Sequence, residues 1–150
     1  NMGIGMKLKT QLITIFMFFS IISCSAIVHG NDDVKAALTN FLYDTSKCTI
    51  FYGILGEGID SSGAQWTNGQ SFQSLSEELA LSAFEIAKQI NMTQKTVMVL
   101  MQDYSQQMGE LINFDAVNLR LLTNKHGQFC KIFVENPEQR LNYWMNKESN

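Results

Sequence analysis

The sequence predicts an all-α fold: a four-helix-bundle-like domain with a short C-terminal helix, behind an N-terminal signal peptide. Three observations predict it. Val34, Leu38, Phe41, Thr45, Cys48, Tyr52 and Leu55 recur at alternating intervals of four and three residues, which places them on one face of a helix. Later segments repeat that period and are separated by cap and turn residues. The opening segment runs basic, then apolar, then small, which is the order of a secretory signal.

The signal reading covers residues 1–30. Met6 is the better initiator, with Lys7 and Lys9 as the basic region, and residues 1–5 read as a start-site artefact. The apolar run from Leu12 to Ile22 is shorter than the ~20 helical residues that span a bilayer. An uncleaved anchor would have to reach from Leu12 to Val28. Cleavage fits after Ala26 or after Gly30. Ile21-Ile22-Ser23-Cys24 also resembles a lipobox, in which Cys24 would be lipidated and tether the protein to a membrane. The remaining chain, 31–150, reads as a single helical domain.

In that domain Asn31 is a candidate N-cap for the first helix, and Asp32 and Asp33 suit its positive end. Gly53, Gly56 and Gly58 read as the end of the helix, and the stretch from Ile59 to Gln70 as a loop. Ser74-Leu75-Ser76-Glu77 fits a capping box opening a second helix, whose stripe is Leu75, Leu79, Ser82 or Ala83, Ile86 and Ile90. Asn91-Met92 breaks the chain and Thr93 caps a third helix carrying Val97, Met101, Tyr104, Met108 and Leu111. A fourth, from Asp115 to Val134, places Leu119, Leu122, His126, Phe129 and Phe133 on one side, with Gly127 as a weak point. Asn136 then caps a short helix with Pro137 at its first position and Leu141, Trp144 and Met145 on its stripe.

Composition excludes several classes. With 45% apolar residues and one proline the chain is neither disordered nor collagen-like, and its 150 residues make one domain at most. The formal charge of −3 gives no basic face for nucleic acid. Without the signal segment nine Lys and Arg face fourteen Asp and Glu, a formal −5.

Cys48 and Cys130 are then the remaining cysteines. An even count in an oxidising compartment predicts a disulfide closing a loop of about 82 residues, with two buried thiols or Cys–His catalysis as the alternatives. The pairing conflicts with simple up-down-up-down topology. Cys48 late in the first helix and Cys130 late in an antiparallel fourth would lie towards opposite ends. A break at Gly127, or a crossover by the 58–71 loop, would relieve the conflict.

Catalytic signatures are missing: there is no GxSxG, HExxH or Walker A sequence, and Gly53–Gly58 follows a helix rather than a strand. His126 reads as a half-buried histidine with no nominated partner. Glu57 with Asp60, and Glu77 with Glu78, are the carboxylate pairs. Asp60–Gly63 lacks EF-hand spacing, and Met92, Met98, Met101 and Met108 could suggest a copper site, but Met101 and Met108 belong to the core stripe and core packing is the preferred reading. No CxxC supports zinc, so no metal or cofactor is expected. Asn91-Met92-Thr93 is a glycosylation acceptor if the source is eukaryotic.

Trp66 in the loop, and Tyr143 with Trp144 on the last helix, are the candidate partner-binding residues, or else lids folded over the bundle ends. The layout of a signal segment, a helix holding Cys48-Thr49-Ile50-Phe51-Tyr52, a late cysteine and the Asn136-Pro137-Glu138-Gln139-Arg140 tail resembles small exported bacterial proteins of unknown role. That resemblance implies no activity. The expectation is an exported, non-enzymatic helical protein of the periplasm or extracellular space, binding a protein or envelope component. The second expectation is a small-ligand binder with a cavity lined by Met101, Tyr104, Met108 and Phe129.

Overall fold

The computed structural model describes residues 31–59 and 71–148. The signal segment with Cys24, and the loop positions Asp60–Gly63 and Trp66, lie outside the described residues. The described chain is helical throughout: α1 (Asn31–Ile59), α2 (Phe72–Gln89), α3 (Gln94–Leu111), a 3-10 turn (Ala116–Asn118), α4 (Leu119–Leu122), a π turn (Thr123–Gly127), α5 (Gln128–Glu135) and α6 (Pro137–Glu148). The all-α bundle-like domain with a short C-terminal helix is the fold.

Helix α1 is its axis. Every other helix packs against it, α2 most extensively, then α6 and α3. The predicted stripe is buried from Leu38 to Leu55, and so are Ala37, Leu42, Ser46, Thr49 and Phe51 on its flanks. Polar groups on so central a helix need internal partners. Thr45 Oγ1 donates to the Phe41 carbonyl at 2.8 Å and Thr49 Oγ1 to the Thr45 carbonyl at 2.9 Å.

The glycines of α1 do not end the helix, which continues through them to Ile59. They bring its neighbours close. A Cβ on Gly53 would meet Ser76 Oγ at 3.1 Å, and one on Gly56 would meet the Gln73 backbone nitrogen at 3.0 Å. Across this seam Ser76 Oγ donates to the Thr49 carbonyl at 2.8 Å, a hydrogen bond that requires short separation between the two helices. Asn31 is the first residue of α1 rather than its cap.

Helix α2 starts one turn before the predicted capping box. Ser71 is the cap and accepts from the Ser74 amide at 3.1 Å. Ser74 is therefore a donor inside the first turn, and Phe72 stacks on Tyr52 of α1 at 6.0 Å between ring centroids. At the other end Asn91 has φ 57°, its amide bonds the Lys88 carbonyl, and the Met92 amide bonds the Ala87 carbonyl. That is a Schellman closure with asparagine in the left-handed position. Thr93 caps α3 as expected, accepting from the Thr96 amide. The end of α3 repeats the closure with Asn113 at φ 54°, and the Phe114 ring rests against Gly109.

The predicted fourth helix is four segments: the 3-10 turn, α4, the π turn and α5. Eight residues of regular α-helix would rotate Cys130 about 80° away from Leu122. The π turn takes up an extra residue between them, and both side chains end fully buried. Phe133 follows them into the core and meets Phe41 at 5.3 Å between ring centroids. Pro137 opens α6 directly after Asn136, as the sequence predicts.

Cys48 and Cys130 form a disulfide with Cα atoms 5.3 Å apart. The topological conflict dissolves for two reasons. Because α1 runs on through its glycines, Cys48 lies mid-helix rather than late. Because the π turn resets the register, Cys130 opens inward from α5.

Candidate functional site

The side chains richest in chemistry converge where α1, α3, α5 and α6 meet. Asp44 is the centre. It sits on α1 with its side chain 7% exposed, and its Oδ2 accepts from both Arg140 Nε and Trp144 Nε1 at 2.7 Å. Arg140 and Trp144 lie four residues apart on α6, so one helical face presents both donors. A buried carboxylate is costly unless it is paired and hydrogen-bonded, and here one oxygen receives a charged and a neutral donor. Asn40 Nδ2 donates to Glu148 Oε1 at 3.0 Å and fixes the far end of α6 to α1.

Cations and rings surround this node. The Arg140 guanidinium lies 4.6 Å from the Tyr143 ring centroid, 4.7 Å from that of Trp144 and 5.2 Å from that of Phe129. Lys147 lies 4.7 Å from Trp144, and Tyr143 meets Trp144 edge-on at 5.0 Å. On the inner side Lys47 lies between Tyr104, at 5.7 Å, and Phe129, at 5.4 Å. Burial, and then the charges of Asp44 and Tyr43, push the Tyr104 hydroxyl up and keep it protonated. Burial and then Glu135 do the same for Tyr52 in the core.

His126 projects from the π turn and is half-buried. Burial first, then Lys125 and Lys47, lower its pKa, so the neutral imidazole is favoured. Among the described residues no group of three or more His, Cys, Asp and Glu is placed to hold a metal ion.

The predicted site residues separate into three sets. Cys48 and Cys130 are joined and fully buried, a staple beneath the cluster. Trp144 is tied to Asp44, while its neighbour Tyr143 is 48% exposed. Trp66 and Cys24 lie outside the described residues. Of the residues expected to line a ligand cavity, Met108 is buried in the core, and Met101, Tyr104 and Phe129 are half-buried. Met98 is 62% exposed, away from any such lining.

Sequence reasoning missed Asp44, Lys47 and Arg140. Asp44 had a signal: it is an acid directly after Phe41-Leu42-Tyr43 and next to the stripe position Thr45, where burial calls for an ion pair. Arg140 had a weaker one, its spacing of four from Trp144. Lys47 had none, because its ring partners come from α3 and α5.

No described helix is long and apolar enough to cross a membrane. Comparison with protein-family models, with curated proteins and with solved structures finds no match for this chain.

Proposed function

We propose that this chain is an exported, non-enzymatic binding protein of the periplasm or extracellular space, which presents the outer face of α6 to a protein or envelope partner. The observation that carries the reading is the double hydrogen bond to Asp44. It holds Arg140 and Trp144 in place, so Tyr143 stays outward on a rigid element, its ring against the guanidinium. Rigid aromatic residues beside arginine make efficient interface anchors, because little side-chain entropy is lost on binding. The disulfide supports the export part of the reading, since such bonds persist in oxidising compartments. The signal-like order of residues 1–30 supports it independently.

Two measurements test it. Intact mass and N-terminal sequencing of the protein from its native host should give a chain starting at Ile27 or Asn31, or a lipidated Cys24. A chain retaining Lys7 and Lys9 inside the cell would end the export reading. A photo-crosslinking residue at Tyr143 should trap a discrete partner that the same residue at Glu85, on exposed α2 surface, does not. Identical patterns from both positions, or no adduct from Tyr143, would remove α6 as the binding face.

A further inference from the structure

Lys47 has an unusual position for a lysine. It lies on α1, half-buried, where α3, α5 and the π turn converge. Rings attract an ammonium, but they do not neutralise its charge. No carboxylate lies within ion-pair distance of Lys47 among the described residues. The acid one turn earlier, Asp44, is already engaged by Arg140 and Trp144.

The groups facing Lys47 define what it would accept. Tyr104 from α3 and Phe129 from α5 are flat apolar walls. His126 from the π turn feels the Lys47 charge and stands neutral near pH 7, leaving it a ring N–H to donate. Lys125 adds exposed positive charge beside His126, while Arg140, beyond Phe129, is balanced by Asp44. The half-buried Lys47 charge thus stands without a carboxylate next to aromatic surface, while the exposed Lys125 charge is screened by solvent. A monoanion balances the Lys47 charge, whereas a phosphate dianion leaves negative charge over in a half-desolvated setting.

We propose that Lys47, Tyr104, His126 and Phe129 form a binding site for a small carboxylic acid, the carboxylate on the Lys47 ammonium and the apolar body against the two rings. The site is separate from the outer face of α6, and it does not rest on the partner reading given above.

Benzoate is the probe, with inorganic phosphate as the second arm, added to the purified disulfide-bonded protein. Titration is followed by the His126 ring proton resonance, assigned with His126→Ala, and by calorimetry. The expected result is a saturable benzoate shift at His126, with phosphate binding several-fold more weakly. Lys47→Gln should weaken benzoate by about tenfold or more, the loss of one charge-assisted contact. Lys47→Arg should retain most of the affinity, and Lys88→Gln on α2 all of it. Should Lys47→Gln fail to fold, Tyr104→Leu takes its place, with an expected loss of about threefold or more from the missing ring wall. The proposal is overturned by the absence of a saturable shift up to tens of millimolar benzoate. It is equally overturned by a shift that survives Lys47→Gln or Tyr104→Leu unchanged, or by phosphate binding as tightly as benzoate.

Discussion

Asp44 concentrates the consequences of burial at a single residue. Its carboxylate satisfies a guanidinium and an indole N–H at once, so its loss strands both. Asp44→Ala should cost about 2–3 kcal/mol in urea denaturation, the low end for a broken buried pair because the Arg140 side chain is 27% exposed. Trp144→Phe deletes only one donor and should cost about 1 kcal/mol. Equal losses from the two changes would mean that ring packing, not the carboxylate, holds α6. His126 gives a second residue-scale expectation. Its folded pKa lies below the ordinary 6.5, so the unfolded chain takes up the proton first as the pH falls. The stability contributed by the neutral imidazole is fully present above pH 6.5 and is lost as the pH drops from there towards the lower folded value. Between about pH 7.5 and pH 5 the urea midpoint should fall further for the native protein than for His126→Gln. Parallel falls would show that the environment of His126 does not bear on stability.

Among the elements, glycines of one type have opposite roles. On Gly56 a Cβ would press against the Gln73 backbone, at 3.0 Å from its nitrogen and 3.3 Å from its Cα, and backbone cannot swing away. Gly56→Ala should therefore destabilise by about 1–3 kcal/mol despite the better helix propensity of alanine. On Gly127 the nearest atoms are Thr123 Cβ at 3.7 Å and Phe51 Cζ at 3.8 Å, ordinary contacts, and φ is −59°. Gly127→Ala should be neutral or stabilising by up to about 1 kcal/mol. Thermal midpoints of the two variants moving in the same direction would contradict this account of the α1–α2 seam. Cap chemistry was partly legible beforehand. Thr93 and the Asn136-Pro137 start were readable because their partners lie within four residues. The shift of the α2 start to Ser71 was not, because it follows from Phe72 stacking on Tyr52 across the seam.

At the scale of the molecule the disulfide joins the axis to the last third of the chain. The chain-entropy model assigns a loop with a separation of 82 residues no more than about 4.5 kcal/mol. The Cys48→Ala, Cys130→Ala double variant should lose about 3–4.5 kcal/mol and unfold at markedly lower urea, as should the reduced protein. A double variant with the native midpoint would show that the packing around α1 suffices without the staple. The pairing itself was legible from the cysteine count together with the signal-like opening segment. How the helices allow it was not, since that depends on α1 running through three glycines and on the π turn.

The sequence by itself determined the helical class, the buried stripe of α1, the Thr93 and Pro137 helix starts and the identity of the bridged cysteines. The first three follow from periodicity and local capping and need only neighbours along the chain; the bridge follows from counting. The tertiary structure decided that α1 is covered on nearly all sides, that its glycines admit α2, and that the helix from Leu119 turns its face at the π segment. It also decided that Asp44, Lys47, Arg140 and Trp144 belong to one cluster. A helical stripe states that a face is buried, but not which helix covers it. The partner of a buried charge comes from that covering helix, here 96 residues away in the chain from Asp44 to Arg140.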